Sequence, residues 1–565
     1  MENKVCRQCS QKFTVEDEDL RFYHQVSPTY AGKKFEIPSP VFCPDCRNQR
    51  RLAFRDLRKL YHRKCDFTGE DMISVFSPDK KYKVYSNATW WSDKWDAMDF
   101  GRDFDAAKSF FKQFAELSKA VPHMQQAAYD NENCPYVNRC SYCKDCYLCF
   151  NADNSEDSFY SDIIHELKSS VDCSASKVME NSYWCQDCID CQNSSNLWKC
   201  SNLSESQFCF DCHGSSNLIL CWGLRNKQYC IENVQYTKEE YNRKREILNL
   251  TSNSSREKLK KKLLNISKEK AIHKFANNIK SENCTGENVI SSKNCKDCYD
   301  VYLGENLIRV MSVDDNAKDS MDSTSIWNGA ELEYEVMSCS QYNIQFSMNV
   351  WESRDMMYCE LCRSCKNCFG CVGLKHKEYC ILNKQYPKGE YEKKVAEIIE
   401  HMQITQEWGE FFPINISPFG YNETEAFDFY PLDKEEAIKI TANWQDNDFA
   451  TKYPGDYYKP KDDIREYEEE QERNKLLSGV IKCQRSGKPF KILPQELAFY
   501  LANKIPIPTL HYDERFNERF KLKNPRRLYH RQCMNEGCNN EFETTYAPER
   551  PEKVYCESCY QKEII

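Results

Sequence analysis

Paired thiols stand at both ends of this chain. Cys6 and Cys9 are followed by Cys43 and Cys46, and a second set, Cys533, Cys538, Cys556 and Cys559, lies near the C-terminus. Two such pairs separated by a hairpin's length can converge on one tetrahedral Zn2+, which has no ligand-field preference and accepts four thiolates at about 2.3 Å. Four thiolates leave no open coordination position, so each of the two expected zinc ions is structural rather than catalytic. Structural zinc contributes apparent binding free energy of about 10 to 16 kcal/mol, enough to replace a core that so small a module lacks.

The elements holding these thiols occur twice. A shift of 468 residues lays 43–70 on the C-terminal end without a gap, so RKLYHRKC ending at Cys65 falls on RRLYHRQC ending at Cys533. After a two-residue slip, PDKKYKVYS (Pro78–Ser86) falls on PERPEKVYC (Pro548–Cys556). In this register the first N-terminal set corresponds to Cys483, Ser486, His511 and Glu514, and the last C-terminal set to Cys65, Glu70, Ser86 and Thr89. Each end thus keeps one member of the pair intact. Serine is a poor zinc ligand, so the hybrid set is expected to be held without metal, by Phe490, Leu497, Phe499 and Tyr500, which match Phe13, Leu20, Phe22 and Tyr23.

The residues Cys6-x-x-Cys9-x-x-x-Phe13, Phe22-Tyr23, Pro40, Cys43-Pro-x-Cys46-Arg47 and Arg50-Arg51 resemble the probable zinc-ribbon family of small bacterial proteins, over about 50 residues. The whole chain also resembles bacterial proteins with ribbon modules at both ends of a Cys-rich middle. The resemblance implies zinc at Cys6, Cys9, Cys43 and Cys46 and brings no activity with it.

At 565 residues with 34 Cys, the chain is too long for one ordinary core. It opens MENKVC with no apolar h-region, and no apolar run of about 18 residues follows, which predicts a cytoplasmic protein without a membrane span. Reducing surroundings favour thiolate ligands and buried thiols over disulfides. The net charge of -9 argues against coating nucleic acid along the whole length, but it hides local basic segments. Arg47 to Lys64 carries eight Arg/Lys against Asp56, and Arg515 to Arg531 carries seven against Glu518. Arg47, Arg50, Arg51, Arg55, Arg58, Arg63, Arg519, Arg526, Arg527 and Arg531 are the candidate nucleic-acid contacts, with Phe54, Tyr61, Phe516, Phe520 and Tyr529 interleaved for stacking.

The middle carries a second duplication, offset by 150: CWGLRNKQYCI from Cys221 matches CVGLKHKEYCI from Cys371. Upstream lie thiols three apart, as in Cys140, Cys143, Cys146 and Cys149, and others nine apart, as in Cys191, Cys200 and Cys209. Short strands repeating about every 18 residues are what a β-solenoid would show, with the thiols as compact apolar fillers. Further zinc sites built from the CxxC pairs are the alternative. Helices are predicted over 104–120, 241–278, 391–402 and 462–477, the second opening with Thr237 and Glu240 as a capping box.

These readings predict a multidomain, β-rich α+β protein: zinc-ribbon modules at both ends flanking two Cys-rich β-solenoid-like repeats capped by helices. The expected divisions are a ribbon pair (1–87), a helical linker (88–130), the first repeat (131–236), a helical segment (237–282), the second repeat (283–386), a helical and irregular linker (387–480) and a second ribbon pair (481–565). The expected function is a zinc-stabilised scaffold binding nucleic acid or a ribonucleoprotein through the basic edges. Alternatives are a protein-interaction scaffold using the solenoid surface and a thiol-redox or multi-metal protein. No thioredoxin-like βαβ context, Gly-rich phosphate loop or GxSxG is present, and His62 and His530, in matching positions, read as structural.

Overall fold

The computed structural model describes residues 1–447, 449 and 452–564, the side chains of 327 and 328 excepted. Positions 448, 450 and 451 of the expected 387–480 linker, and 565 of the expected 481–565 pair, lie outside the described residues. The fold is β-rich α+β, with thirteen α-helices among the described residues and a four-cysteine group at each end. No helix among those residues is long and apolar enough to cross a membrane.

Two blocks of parallel ladder fill the middle. In the first, Val137 pairs with Cys149, Phe150 with Asp162, Asp162 with Ser174 and Val171 with Tyr183, always 12 residues on. Seven of its strands close a ring of parallel pairings, in the order Val171–Glu180, Tyr183–Gln186, Ser195–Trp198, Gln207–Phe210, His213–Trp222, Ser201–Ser204 and Ile189–Gln192. The second block, from Gly286, keeps the same step, lengthened to 13 at Glu305↔Lys318 and shortened to 11 at Met337↔Met348.

The step of 12 replaces the spacing of about 18 expected for such coils. Its cause is visible in the backbone, where every third residue, from Arg139 through Tyr142, Asp145, Leu148, Asn151 and Asn154, has positive φ. Asn and Asp tolerate the left-handed region better than most residues, and they recur there as Asp157, Asp187, Asp190, Asn193, Asn196 and Asn202. The chain therefore bends after each triplet and sends every third side chain inward. Cys140, Cys143, Cys146 and Cys149 are all buried in this row. Their spacing of three is the period of the bends. Their spacing of nine is a contact: the Cys140 sulfur lies 3.3 Å from the carbonyl oxygen of Asn138, two residues back, and 3.3 Å from that of Cys149.

Serines occupy the same row, and Ser155 and Ser158 donate to the carbonyls two residues back at 3.0 Å. Hence Cys140→Ser is expected to change unfolding free energy by less than about 1 kcal/mol, because the hydroxyl finds the same acceptors. Cys140→Asp should cost several-fold more, since a carboxylate there has no counter-charge. Denaturant unfolding of the two variants checks the ranking.

Both blocks end alike. Asn233 hydrogen-bonds the backbone of Trp222 through N–H and carbonyl (3.0 and 2.8 Å), and Asn383 does the same to Val372 (2.8 and 2.7 Å). The next helix starts at Lys238 with Thr237 accepting from the Glu240 N–H at 3.2 Å, as the capping box predicts. The segment 241–278, expected as one or two helices, holds two, Lys238–Ile247 and Asn253–Glu269, and its last residues form the strand Ile272–Lys274 instead of helix. The other expected helices appear as Phe110–Ala120, Lys388–Ile404 and Glu470–Ser478.

Candidate metal centres and the contacts that seat them

Four small modules share one local plan, a hairpin followed by the N-terminus of a helix. The hairpins are Glu2–Val5 with Lys12–Val15, Tyr61–Lys64 with Asp71–Ser74, Ile481–Lys482 with Pro489–Phe490, and Tyr529–Gln532 with Glu541–Thr544. After each first strand a cysteine N–H bonds to the carbonyl that opens the return strand: Cys6 to Gln11, Cys65 to Glu70, Cys483 to Lys488 and Cys533 to Asn540, all at 2.8 to 2.9 Å. Cys43 and Cys556 then occupy the N-caps of helices Pro44–Leu52 and Glu557–Glu563.

This plan brings both complete sets together. The sulfurs of Cys6, Cys9, Cys43 and Cys46 all lie within 4.8 Å of one another, as do those of Cys533, Cys538, Cys556 and Cys559. The Cys9–Cys43 and Cys538–Cys556 separations are 3.7 and 3.9 Å. A tetrahedron with metal–sulfur bonds of about 2.3 Å has edges of about 3.8 Å, so both donor sets fit Zn2+. Both are compatible with zinc-ribbon-like modules. The Cys46 thiol donates toward Cys43 and holds it down at about 5, against the effect of burial. Burial pushes Cys556 up, but Ser558 and Asn540 outweigh it and bring the thiol to about 6. Easily formed thiolates at helix N-termini are the form a metal takes.

The two incomplete sets form no such group among the described residues. Where the C-terminal module has Cys556 and Cys559, Ser86 accepts from the Thr89 N–H and the two hydroxyls bond at 3.0 Å. In the hybrid set, His511 caps the helix Tyr512–Phe520 and Glu514 accepts from Arg485 at 3.3 Å. Side-chain hydrogen bonds thus occupy the positions that cysteine sulfurs occupy in the complete sets.

The arginines expected to form basic edges are placed otherwise. Arg47, Arg50, Arg51, Arg55 and Arg519 are buried. Arg47 donates to Asp322 at 2.7 Å and Arg51 to Glu335 at 2.7 Å, both acids in the second ladder block. Arg515 and Arg519 pair with Asp172 of the first block, each at 2.9 Å. Arg50 pairs with Glu410, Arg55 with Glu425, Arg58 with Asp428, Arg63 with Asp66 and Arg526 with Asp300. Arg531 donates to the Ala547 carbonyl at 3.2 Å, and Arg527 is exposed beside Tyr529. Burial would raise the Asp322 carboxyl, but Arg309 and Arg47 hold it at about 2. Of the rings expected to stack on bases, Phe54 is buried against Phe411 and Phe412, and Phe516 lies under the Arg58 guanidinium.

These contacts follow the two duplications. Arg47 and Arg51 stand 468 residues before Arg515 and Arg519, and Asp172 stands 150 before Asp322. Each end therefore seats its first module on the ladder block farther from it in sequence. The second modules are related in the same way. Val84 pairs in parallel with His123, and Val554 with His273, again 150 residues apart. Tyr560 donates to Asp211 and receives from Arg225 at 2.8 Å, while the Lys375 ammonium lies 4.3 Å over Trp90. The acids that receive the arginines escaped the sequence reading, although the recurrence of Asp172 as Asp322 at the known offset was the available signal.

His273 ties the C-terminal module down, 2.8 Å from the Tyr546 hydroxyl and 2.6 Å from the Ser267 carbonyl. Burial pushes its imidazole from 6.5 to about 4. The folded state thus binds fewer protons than the unfolded one, so this contribution is complete above about pH 6.5 and is lost as pH falls toward 4. The loss amounts to roughly 3 kcal/mol. Thermal unfolding across that range should fall more steeply for the parent than for His273→Gln.

No protein-family model matches the chain, and no curated protein sequence matches it.

Proposed function

We propose that this protein is a zinc-stabilised scaffold that binds a protein partner through its ladder blocks, read as β-solenoids with 12-residue coils. The parallel step of 12, with shifts of one residue in the second block, and the left-handed residue at every third position support the solenoid reading. Zn2+ at Cys6, Cys9, Cys43 and Cys46, and at Cys533, Cys538, Cys556 and Cys559, fixes each hairpin to its helix and supplies no reaction centre. The observation that carries the partner class is the internal use of the guanidinium groups: those expected to meet phosphate meet Asp172, Asp322, Glu335, Glu410 and Glu425. The ladder surfaces meanwhile leave Val178 and Ile189 exposed on one block and Tyr302, Leu303 and Tyr342 on the other. Apolar side chains presented on rigid elements suit a protein surface.

A nucleic-acid titration across salt, run beside affinity purification of the zinc-loaded chain, tests this reading. The expected result is no steeply salt-dependent binding, and a stoichiometric protein partner that is lost from the double variant Ile189→Asp, Leu303→Asp. Salt-dependent RNA or DNA binding with no protein partner would overturn it.

A further inference from the structure

The first turn of each ladder block has no neighbour on its outer side. Inside the first block, the residue at each bend donates backward to the turn before: Tyr142 to the Tyr129 carbonyl, Asp145 to Glu132, Asn154 to Ser141 and Asp157 to Lys144, at 3.0 to 3.1 Å. Asp130 and Asn133 hold the same place in the opening turn, with positive φ and exposed side chains. Their N–H groups and the Asn131 carbonyl between them have no partner among the described residues. This edge lines a cleft of about 1150 Å³ through Asp130, Asn131, Asn133 and Cys134, together with Trp91 of the metal-free module and Lys375 of the second block. The second block opens in the same way at Lys280 and Asn283, which are 150 residues on from Asp130 and Asn133 and also exposed.

Two rows of side chains run along the blocks and stop at these edges. The first row alternates in charge: Glu132 pairs in register with Lys144, Lys144 with Glu156 and Glu156 with Lys168. In the second block the row reads Glu282, Lys293, Glu305, Lys318 and Glu331. Lys144 lies 3.7 Å from Glu132, Lys293 3.7 Å from Glu282 and Lys318 3.7 Å from Glu305. Beside it runs a row of amides and acids, in which Asn283 donates to Asn294, Asn294 to Asn306 and Asn306 to Asp319, at 3.2, 3.0 and 2.8 Å. Asn133 donates to Asp145 at 2.6 Å in the first block. Both charge rows end on an acid, and the Glu132 and Glu282 side chains are 74% and 69% exposed.

We infer that each open edge takes up an extended segment of a partner polypeptide as a further parallel strand, with Lys or Arg facing Glu132 or Glu282 and Asn directly after it. The inference rests on the ladder and not on the apolar residues assigned above to a protein partner, from which these edges are separate. Alternating backbone donors and acceptors on a free edge are what a peptide backbone answers. At the first edge the basic residue donates its N–H to the Asn131 carbonyl and accepts from the Asn133 N–H. Lys144 makes that same pair of bonds one turn inward, donating to the Ser155 carbonyl at 2.9 Å and accepting from the Asp157 N–H at 3.0 Å. An Asn after the basic residue extends the amide row and tolerates the left-handed backbone of the bend. A second copy of this chain does not fit. Both edges carry glutamate, so two copies meeting edge to edge set like charges opposite each other. The far end of each block is closed by a hairpin, Gln228–Ile231 with Val234–Gln235 and Glu378–Ile381 with Lys384–Gln385.

The test is fluorescence anisotropy of a labelled synthetic peptide that copies residues 289–297 with serine for Cys295, titrated with the full zinc-loaded chain. Its central Lys293 and Asn294 supply the two side chains that the edges call for. Binding should be saturable, should weaken as salt rises, and should fall about tenfold for a peptide with glutamate in place of the central lysine. Methylating the backbone nitrogen of that lysine should abolish binding, because it removes the donor to the edge carbonyl and leaves every charge in place. In the double variant Glu132→Lys, Glu282→Lys, both on exposed surface, the preference should reverse in favour of the glutamate peptide. The variant Ile189→Asp, Leu303→Asp should bind the lysine peptide as the parent does, so that failure here and failure of the apolar surface are read separately. No binding of the lysine peptide at millimolar concentration, equal binding of the two peptides, full affinity after methylation, an unreversed preference in the double glutamate variant, or loss of the peptide from Ile189→Asp, Leu303→Asp would overturn the inference.

Discussion

Asp172→Ala is expected to destabilise the protein by about 3 to 5 kcal/mol, because removing one partner of a buried ion pair leaves the other charge uncompensated. Here Arg519 would lose its carboxylate and Arg515 would keep only the influence of Glu496. Asp172 and Arg519 are fully buried and Arg515 is nearly so, and both guanidinium groups reach the same carboxylate at 2.9 Å. Arg519 also donates to the Ser174 hydroxyl and the Tyr160 carbonyl, at 3.0 and 3.1 Å. Those contacts orient the guanidinium without neutralising it. The pseudo-equivalent Asp322→Ala should cost less, since Glu335 remains 3.5 Å from Arg47 and already holds Arg51. Urea unfolding of the two variants beside the parent gives both the size and the order. An Asp172→Ala loss below about 0.5 kcal/mol would place these arginines with ordinary surface pairs instead.

Removing zinc from the N-terminal module is expected to unfold it. Cys43→Ser takes away one ligand of four at the N-cap of the helix that carries Arg47 and Arg51. The module's hairpin and helix are short, and the metal's contribution of about 10 to 16 kcal/mol has no apolar substitute of that size within them. Limited proteolysis should then cut within the first 52 residues. Cys556→Ser should open the C-terminal module in the same way while leaving the helix Tyr512–Phe520 protected, because that helix belongs to a module already held without metal. Cys483→Ser should leave the metal content unchanged. A Cys43→Ser protein with the parent's proteolytic pattern would show that the apolar frame alone holds the module.

The two four-cysteine groups were legible because thiol spacing is a local signal that survives without the fold. So were the two offsets, 468 and 150, from which the shared plan of the modules follows. The length of the ladder step was not. Thiols nine apart suggested half of a longer coil, whereas the backbone bends at every third residue and makes nine the distance between a sulfur and the carbonyl it touches. The arginines misled for a different reason. A run of Arg beside a rigid module looks alike whether it faces solvent or a buried carboxylate, and the carboxylates that decide it, Asp172 and Asp322, lie hundreds of residues away. The cleft depended on the same long-range assembly: Asn87, Gln126 and Arg363 come from three separate stretches of sequence.

Native mass spectrometry of the purified chain tests most directly the claim that metal holds the ends and thiol packing fills the middle. The account predicts two zinc ions per chain, falling to one in Cys43→Ser or Cys556→Ser and staying at two when Cys140 or Cys209 is replaced by serine. A parent chain with no zinc, or with five or more ions that decrease when central cysteines are replaced, would contradict it.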